Sequence, residues 1–277
     1  MPDGSEEPSA LPPPDPTREA FWRDFLTRGD SRENRVRRIF RHLPQDPRCR
    51  MCAAPFSGGF APLMRLAGRQ QSEGNPNWCN SCFSFLSRNH GGAEITITVL
   101  FADIRGSTAL AEKTSATSFR ALLDRFYSTS TRVVFDHDGY VDKFVGDELV
   151  AMFFPLMSGE RHAARAVETA TALLEATGHA DRAGPWAPLG VGVHTGEVWF
   201  GAIGEGSHVE LTAVGDAVNA TARLASMARA GEVLVTVEAA TLAGVDSSLP
   251  RETLEIRGKT QRTEVVRLTV SPQSVGR

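Results

Sequence analysis

Phe101-Ala102-Asp103-Ile104-Arg105-Gly106-Ser107-Thr108, followed about forty residues later by Lys143-Phe144-Val145-Gly146-Asp147, is the pair of runs on which the reading of this chain turns. The first closes an alternating stretch from Glu94 to Asp103, in which Ile95, Ile97, Val99 and Phe101 alternate with Thr96, Thr98 and Leu100, so a strand is predicted with its aspartate at the carboxyl end. The second lies between two short apolar runs, Tyr140 to Val145 and Leu149 to Phe154, and reads as a hairpin whose tip presents Asp147. A carboxylate at each of two strand ends, each beside a glycine turn, is what a pair of divalent cations needs while it also holds a polyphosphate. The expectation is a nucleotide-using enzyme.

Working outward, Ser118 to Asp136 carries a helical stripe that stops at Asp138-Gly139, and His162 to Thr177 is a second helix ended by Gly178. Two strands, Leu189 to His194 and Val198 to Ile203, are expected to join at Thr195-Gly196-Glu197. Glu210 to Val214 is a further strand, Gly215 opens a helix running to about Ala228, and Glu252 to Arg257 with Thr263 to Val270 close the domain. The order β-α-α-β-β-α-β-β-β-α-β predicts an α+β fold. Upstream, Thr17 to Leu43 has helical spacing interrupted at Gly29-Asp30-Ser31, which predicts two short helices. Their arginines are interleaved with Glu19, Asp24, Asp30 and Glu33, the mark of a solvated face or a subunit contact rather than of a nucleic-acid surface.

The bounds agree with a soluble enzyme of one main domain and a smaller module. The 277 residues carry a net charge of −3 and 41% apolar side chains, which singles out no polyanionic partner. No apolar run approaches the roughly 20 residues that span a bilayer, so no membrane segment and a cytoplasmic location are expected. Residues 1–16, acidic and rich in proline, are expected to be a disordered tail, residues 17–92 a helical module ending in a Gly91-Gly92 hinge, 93–272 the main domain, and 273–277 a second tail.

All four cysteines fall in that module, as Cys49-x-x-Cys52 and Cys79-x-x-Cys82. Two intervening residues let both sulfurs of a tight loop turn to one side, so four thiolates can converge on one ion. Zinc is expected, with an iron–sulfur cluster as the alternative ligand of four thiolates. The 26 residues between the pairs exceed the usual ribbon spacing, which leaves the local fold open. The site is either regulatory or a passive dimerisation staple.

The downstream residues resemble the class III nucleotide cyclase catalytic domain, from about Glu94 to Val270. The resemblance implies a ferredoxin-like α+β fold acting as a head-to-tail homodimer, with two active sites at the interface, that converts ATP to 3′,5′-cyclic AMP and pyrophosphate. It implies that Asp103 and Asp147, with the Ile104 carbonyl, bind two Mg2+ or Mn2+ ions, and that Lys143 contacts the purine. The run Thr212-Ala213-Val214-Gly215-Asp216-Ala217-Val218-Asn219-Ala220-Thr221-Ala222-Arg223 is similar to the family's transition-state segment. Asn219 and Arg223, four apart, share one helical face. Thr212 takes the second purine-reading position, where many members carry aspartate, and is similar to a bacterial subgroup that uses ATP. Backbone amides of Gly106, Ser107 and Thr108 are expected at the phosphates. Lys259 or Arg257 would meet the terminal phosphates, or be solvated turn residues. His194, His208 and Trp199 are read as packing or surface residues. A guanylate cyclase, a diguanylate cyclase echoed by Val145-Gly146-Asp147-Glu148-Leu149, and a non-catalytic nucleotide or metal-cluster sensor are the alternatives.

Overall fold

The computed structural model of the chain describes residues 15–28, 31–43, 47–204, 209–255 and 262–270. Arg257, Lys259, His208 and most of the two expected tails lie outside them. Helix α1 (Pro16–Arg28) begins with proline in its first turn, and Asp15 Oδ1 accepts the Thr17 and Arg18 amides at 3.0 and 3.3 Å, which caps the helix. Helix α2 (Ser31–Phe40) follows as expected, and the cysteine segment adds two short helices that periodicity did not reveal, α3 (Ala61–Leu66) and α4 (Asn80–Arg88).

Strand β1 (Gly91–Ile104) leads through α5 (Ser107–Lys113) to α6 (Ala116–Asp136), which is capped by Ser115. The hairpin of β2 (Tyr140–Val145) and β3 (Glu148–Phe153) precedes α7 (Pro155–Ser158) and α8 (His162–Ala176). Next come β4 (Leu189–Ile203), β5 (Glu210–Val214) and α9 (Asp216–Met227). The described chain ends with β6 (Glu232–Thr236), α10 (Val237–Ala243), β7 (Arg251–Leu254) and β8 (Thr263–Thr269). The sheet runs β2-β3-β1-β4-β6-β8-β7, with β5 also pairing β4, and among the described residues only β4 and β6 are parallel neighbours.

Two expectations are corrected. The segment 189–203 is one strand, because β1 pairs with it without a break from Gly91↔Ala202 to Ile104↔Leu189, and Gly196 sits inside the ladder opposite Ile97. Gly91-Gly92 is likewise no hinge but the first two residues of β1. Here two backbones nearly touch: a Cβ on Gly92 would lie 2.5 Å from the Phe200 carbonyl oxygen, and one on Gly201 would lie 2.3 Å from that of Gly91.

Both faces of the sheet are covered, which is why β1 is buried along most of its length. One core joins Leu100, Ala102 and Ile104 of β1 to Phe126 and Val134 of α6 and to Ala166, Ala170, Leu173 and Leu174 of α8. The other joins Ile95, Ile97, Val99 and Phe101 to Phe200, Trp22, Leu26, Trp78, Leu86 and the cysteines. The amino-terminal segment therefore shares a core with the sheet. Burying a side chain such as Leu26 or Phe200 contributes about 1.5–3 kcal/mol.

On that same face the sheet curls. Strands β2 and β5 have β3, β1 and β4 between them, yet the Tyr140 hydroxyl of β2 donates to the Leu211 carbonyl of β5 at 2.9 Å.

Gly92→Ala and Gly201→Ala should each destabilise the chain by about 3 kcal/mol, since the obstructing atoms are backbone and cannot rotate away. The urea midpoint measures it; loss of less than about 1 kcal/mol, as a flexible joint would show, would contradict this packing.

Candidate active site and four-cysteine centre

Strand pairing gathers the acids. Asp103, the last residue but one of β1, lies directly opposite Glu148 at the start of β3, and the Ile104 amide donates to the Asp147 carbonyl at 3.3 Å. The turn carrying Asp147 is fastened from α6, where Tyr127 donates its hydroxyl to the Gly146 carbonyl and stacks on Phe144 with centroids 4.0 Å apart. Burial, and then the charge of Asp147, push the Glu148 carboxyl above its usual range. This end of the sheet thus has an unmet demand for positive charge, part of which Arg105 supplies by pairing with the Asp103 carboxylate. Arg105 also donates to the Ser226 carbonyl at 2.9 Å, tying the end of β1 to the last turn of α9. Asp103 and Asp147, both half-buried at this end of the sheet, offer carboxylate oxygens of the kind that Mg2+ or Mn2+ takes. Gly106 stands at φ +74° ahead of α5, a left-handed turn that glycine adopts without cost.

The purine-reading candidates also converge, through a residue the sequence reasoning missed. A register shift between Val141 and Lys143 makes a bulge in β2, so that Tyr140, Val141 and Asp142 are all buried in succession. The Asp142 side chain is 4% exposed, and its Oδ2 accepts from Thr212 Oγ1 at 3.1 Å with Lys143 Nζ 3.5 Å away. Burial raises the Asp142 carboxyl above its ordinary range, against the opposing effect of Lys143, Thr212 and Arg50. Arg50 donates to the Asp142 carbonyl. The available signal was a lone acid inside the apolar run Tyr140-Val141-Asp142-Lys143-Phe144-Val145.

Asn219 is exposed on α9, and Arg223 is half-buried one turn later. No hydrogen bond or ion pair among the described residues joins either side chain to the acids or to Lys143 and Thr212. His194 packs as expected, half-buried with Nδ1 2.9 Å from Thr236 Oγ1, and Trp199 is half-buried in β4 opposite Glu94.

The four cysteines meet as their spacing predicts. None forms a disulfide, all are buried, and their sulfurs all lie within 4.8 Å of one another. Cys52 and Cys79 Sγ are 3.7 Å apart, and the Cys79 amide donates to Cys49 Sγ at 3.3 Å. A tetrahedral ion with sulfur at about 2.3 Å holds its ligands about 3.8 Å apart, so the set fits one ion. Bonding to Cys49 holds the Cys79 thiol below its ordinary range, whereas Cys82 is pushed well above. Around this centre Arg37, itself buried, donates to the carbonyls of Arg50, Met51 and Gly139 at 3.3, 2.6 and 3.0 Å.

Comparison with known proteins places this geometry. The family model for the adenylate and guanylate cyclase catalytic domain matches residues 93–268. Adenylate cyclase 1 of Rhizobium meliloti (strain 1021) is 35% identical over 136 residues, which is 47% of this chain and 20% of that protein, so the chain spans about a fifth of that relative's length. In structure the chain is similar to the guanylyl cyclase Cya2, with a TM-score of 0.60 and 24% identity over 66% of this chain and 95% of that one. It is also similar to the adenylyl cyclase CyaB from P. aeruginosa, with a TM-score of 0.56 and 26% identity over 66% and 98%. No helix among the described residues is long and apolar enough to cross a membrane. With a match that covers every strand of the sheet from β1 onward, the chain belongs to the class III adenylate and guanylate cyclase catalytic domain family.

Proposed function

We propose that the chain is an adenylate cyclase that closes ATP to 3′,5′-cyclic AMP and pyrophosphate between two copies of itself. The observation that carries this reading is the division of the candidate residues. Asp103 and Asp147 lie at the carboxyl end of β1, Lys143 and Thr212 meet at Asp142, and no hydrogen bond or ion pair among the described residues joins these two pairs to each other or joins Asn219 and Arg223 of α9 to either. A second copy facing the first would complete each site. Exposed Val145, Ile203, Val214 and Met227, at the ends of β2, β4, β5 and α9, support a partner surface there.

In the reaction the ribose 3′-oxygen attacks the α-phosphorus, a new phosphorus–oxygen bond forms, the bond to the β-phosphate oxygen breaks, and the hydroxyl proton leaves. Held by Asp103, Asp147 and the Ile104 carbonyl, two Mg2+ or Mn2+ ions would acidify the 3′-hydroxyl and neutralise the triphosphate. Arg105 must release Asp103 to make room. The Gly106-Ser107-Thr108 turn leaves the phosphates an unobstructed approach to backbone amides. Lys259 or Arg257 meets the terminal phosphates. Arg223 of the facing copy neutralises charge growing on the α-phosphoryl oxygens, and Asn219 orients the ribose. Lys143 and Thr212 read the purine, and the likeness to an adenylate cyclase of Rhizobium meliloti supports ATP.

The four-cysteine centre holds zinc in this reading, since a single tetrahedral ion accounts for sulfurs this close without the extra atoms of an iron–sulfur cluster. Its role is structural first: a core that joins the cysteines to Trp22, Ile97 and Phe200 makes the ion part of the whole fold.

Purified protein with Mn2+ should turn ATP into cyclic AMP and pyrophosphate on chromatography, in preference to turning GTP into cyclic GMP and pyrophosphate. Arg223→Ala and Asp103→Ala should each lose about 10³-fold or more in kcat while the dimer persists on sizing; absence of cyclic AMP from ATP would sink the proposal. Metal analysis should find one zinc per chain. Its removal by a chelator, or the change Cys79→Ser, should lower the unfolding midpoint of the entire chain by about 5 °C or more, and an unchanged midpoint would rule out a structural ion.

A further inference from the structure

We infer that Asp142 selects the purine, by fixing the direction of the Thr212 hydroxyl, and that the cysteine knuckle holds Asp142 in place through Arg50. The inference rests on the cyclase reading only in taking Lys143 and Thr212 to face the base.

An ionised carboxylate only accepts hydrogen bonds, so the proton of the Thr212 hydroxyl is committed to Asp142 Oδ2 at 3.1 Å. What Thr212 offers a ligand is then a pair of lone pairs. Adenine presents a donor there, the exocyclic N6 amino group, whereas guanine presents the O6 acceptor. Lys143 cannot discriminate between them, because an ammonium has three donors and suits the N1 of adenine as well as the O6 of guanine. Discrimination falls on Thr212, and its polarity is set by the acid behind it. Guanine would meet lone pairs with lone pairs, a mismatch for which discrimination of about 10- to 100-fold is ordinary.

Asp142 can stand behind Thr212 only because of the bulge in β2 and the curl that brings β5 opposite. Both are tied to the metal centre. Arg50 occupies the knuckle between Cys49 and Cys52, and its guanidinium donates to the carbonyl of Asp142 itself. Arg37 holds the carbonyls of Arg50 and Met51 together with that of Gly139, one residue before β2. The knuckle thus grips β2 on both sides of Tyr140. Asp142 acts as a positioning residue; it need not touch the substrate.

The test is competition of ATP and GTP against a ribose-labelled fluorescent ATP analogue on the full, zinc-loaded chain with Mn2+, alongside kcat/KM for each nucleotide. Wild type should prefer ATP. Asp142→Asn, whose amide can donate to Thr212 and release the hydroxyl proton toward the base, should lower the ATP-to-GTP ratio about tenfold or more. Thr212→Val should lower it as far, and this variant carries the test if Asp142→Asn does not fold. Arg50→Ala should lower the ratio with zinc content unchanged. A wild type without preference for ATP, or ratios within twofold of wild type in Asp142→Asn or Thr212→Val, would overturn the inference; an unmoved ratio in Arg50→Ala would overturn the part given to the knuckle. Binding of ATP without a cyclic product would sink the cyclase proposal instead, and the affinity ratio would still decide this one.

Discussion

The hydrogen bond from the Tyr140 hydroxyl to the Leu211 carbonyl is the contact on which the rest of this structure depends. It joins strands that share no ladder, and it can do so only because the sheet coils until its β2 side faces β5. Tyr140 is 2% exposed, and burial pushes its hydroxyl well above the ordinary phenol range, so the group remains a donor at any pH the chain meets. A buried donor with one partner costs the full desolvation of both groups if the strands part. The aromatic contacts of Tyr140 with Trp78, Phe154 and Phe200 fill the concavity beneath. Once the strands are held there, Asp142 and Thr212 two residues and one residue further on come into register.

What was readable in the sequence follows from how local each signal is. The alternation of Ile95, Ile97, Val99 and Phe101 and the apolar runs on either side of Gly146-Asp147 are complete within one element, and both elements stand where the pattern puts them. The acids were readable for the same reason: Asp103 sits at the end of β1 and Asp147 in the turn between β2 and β3. Gly91-Gly92 and Gly196 misled because a glycine in isolation signals freedom, whereas here it answers a neighbouring chain that no local pattern contains. Helices α3, α4 and α10 have six, nine and seven residues, too short to show a period, and are held by packing rather than by propensity. Asp142 and Arg50 escaped because a bulge and a contact between residues 92 apart exist only in the folded chain.

The cysteine segment proves to be less an appendage than a floor. Trp22, Leu26, Trp78 and Leu86 lie in one core with strands β1 and β4, and Asn75 reaches the Val209 carbonyl just before β5 at 3.4 Å. Loosening any of these is felt on the concave face of the sheet, the side on which Lys143 and Thr212 are brought together. An ion pair between Arg41 and Asp138 adds a further tie, close to the turn before β2.

The knuckles close a loop of some thirty residues, from Cys49 to Cys82, whereas β1 must wait for Ala202 before its first residue is paired. On a ribosome the first event needs no residue beyond Cys82, and short loops close faster and at lower entropic cost than long ones. The thiolate cluster can therefore be finished while the catalytic strands are still being made, and those strands arrive onto a template that already exists.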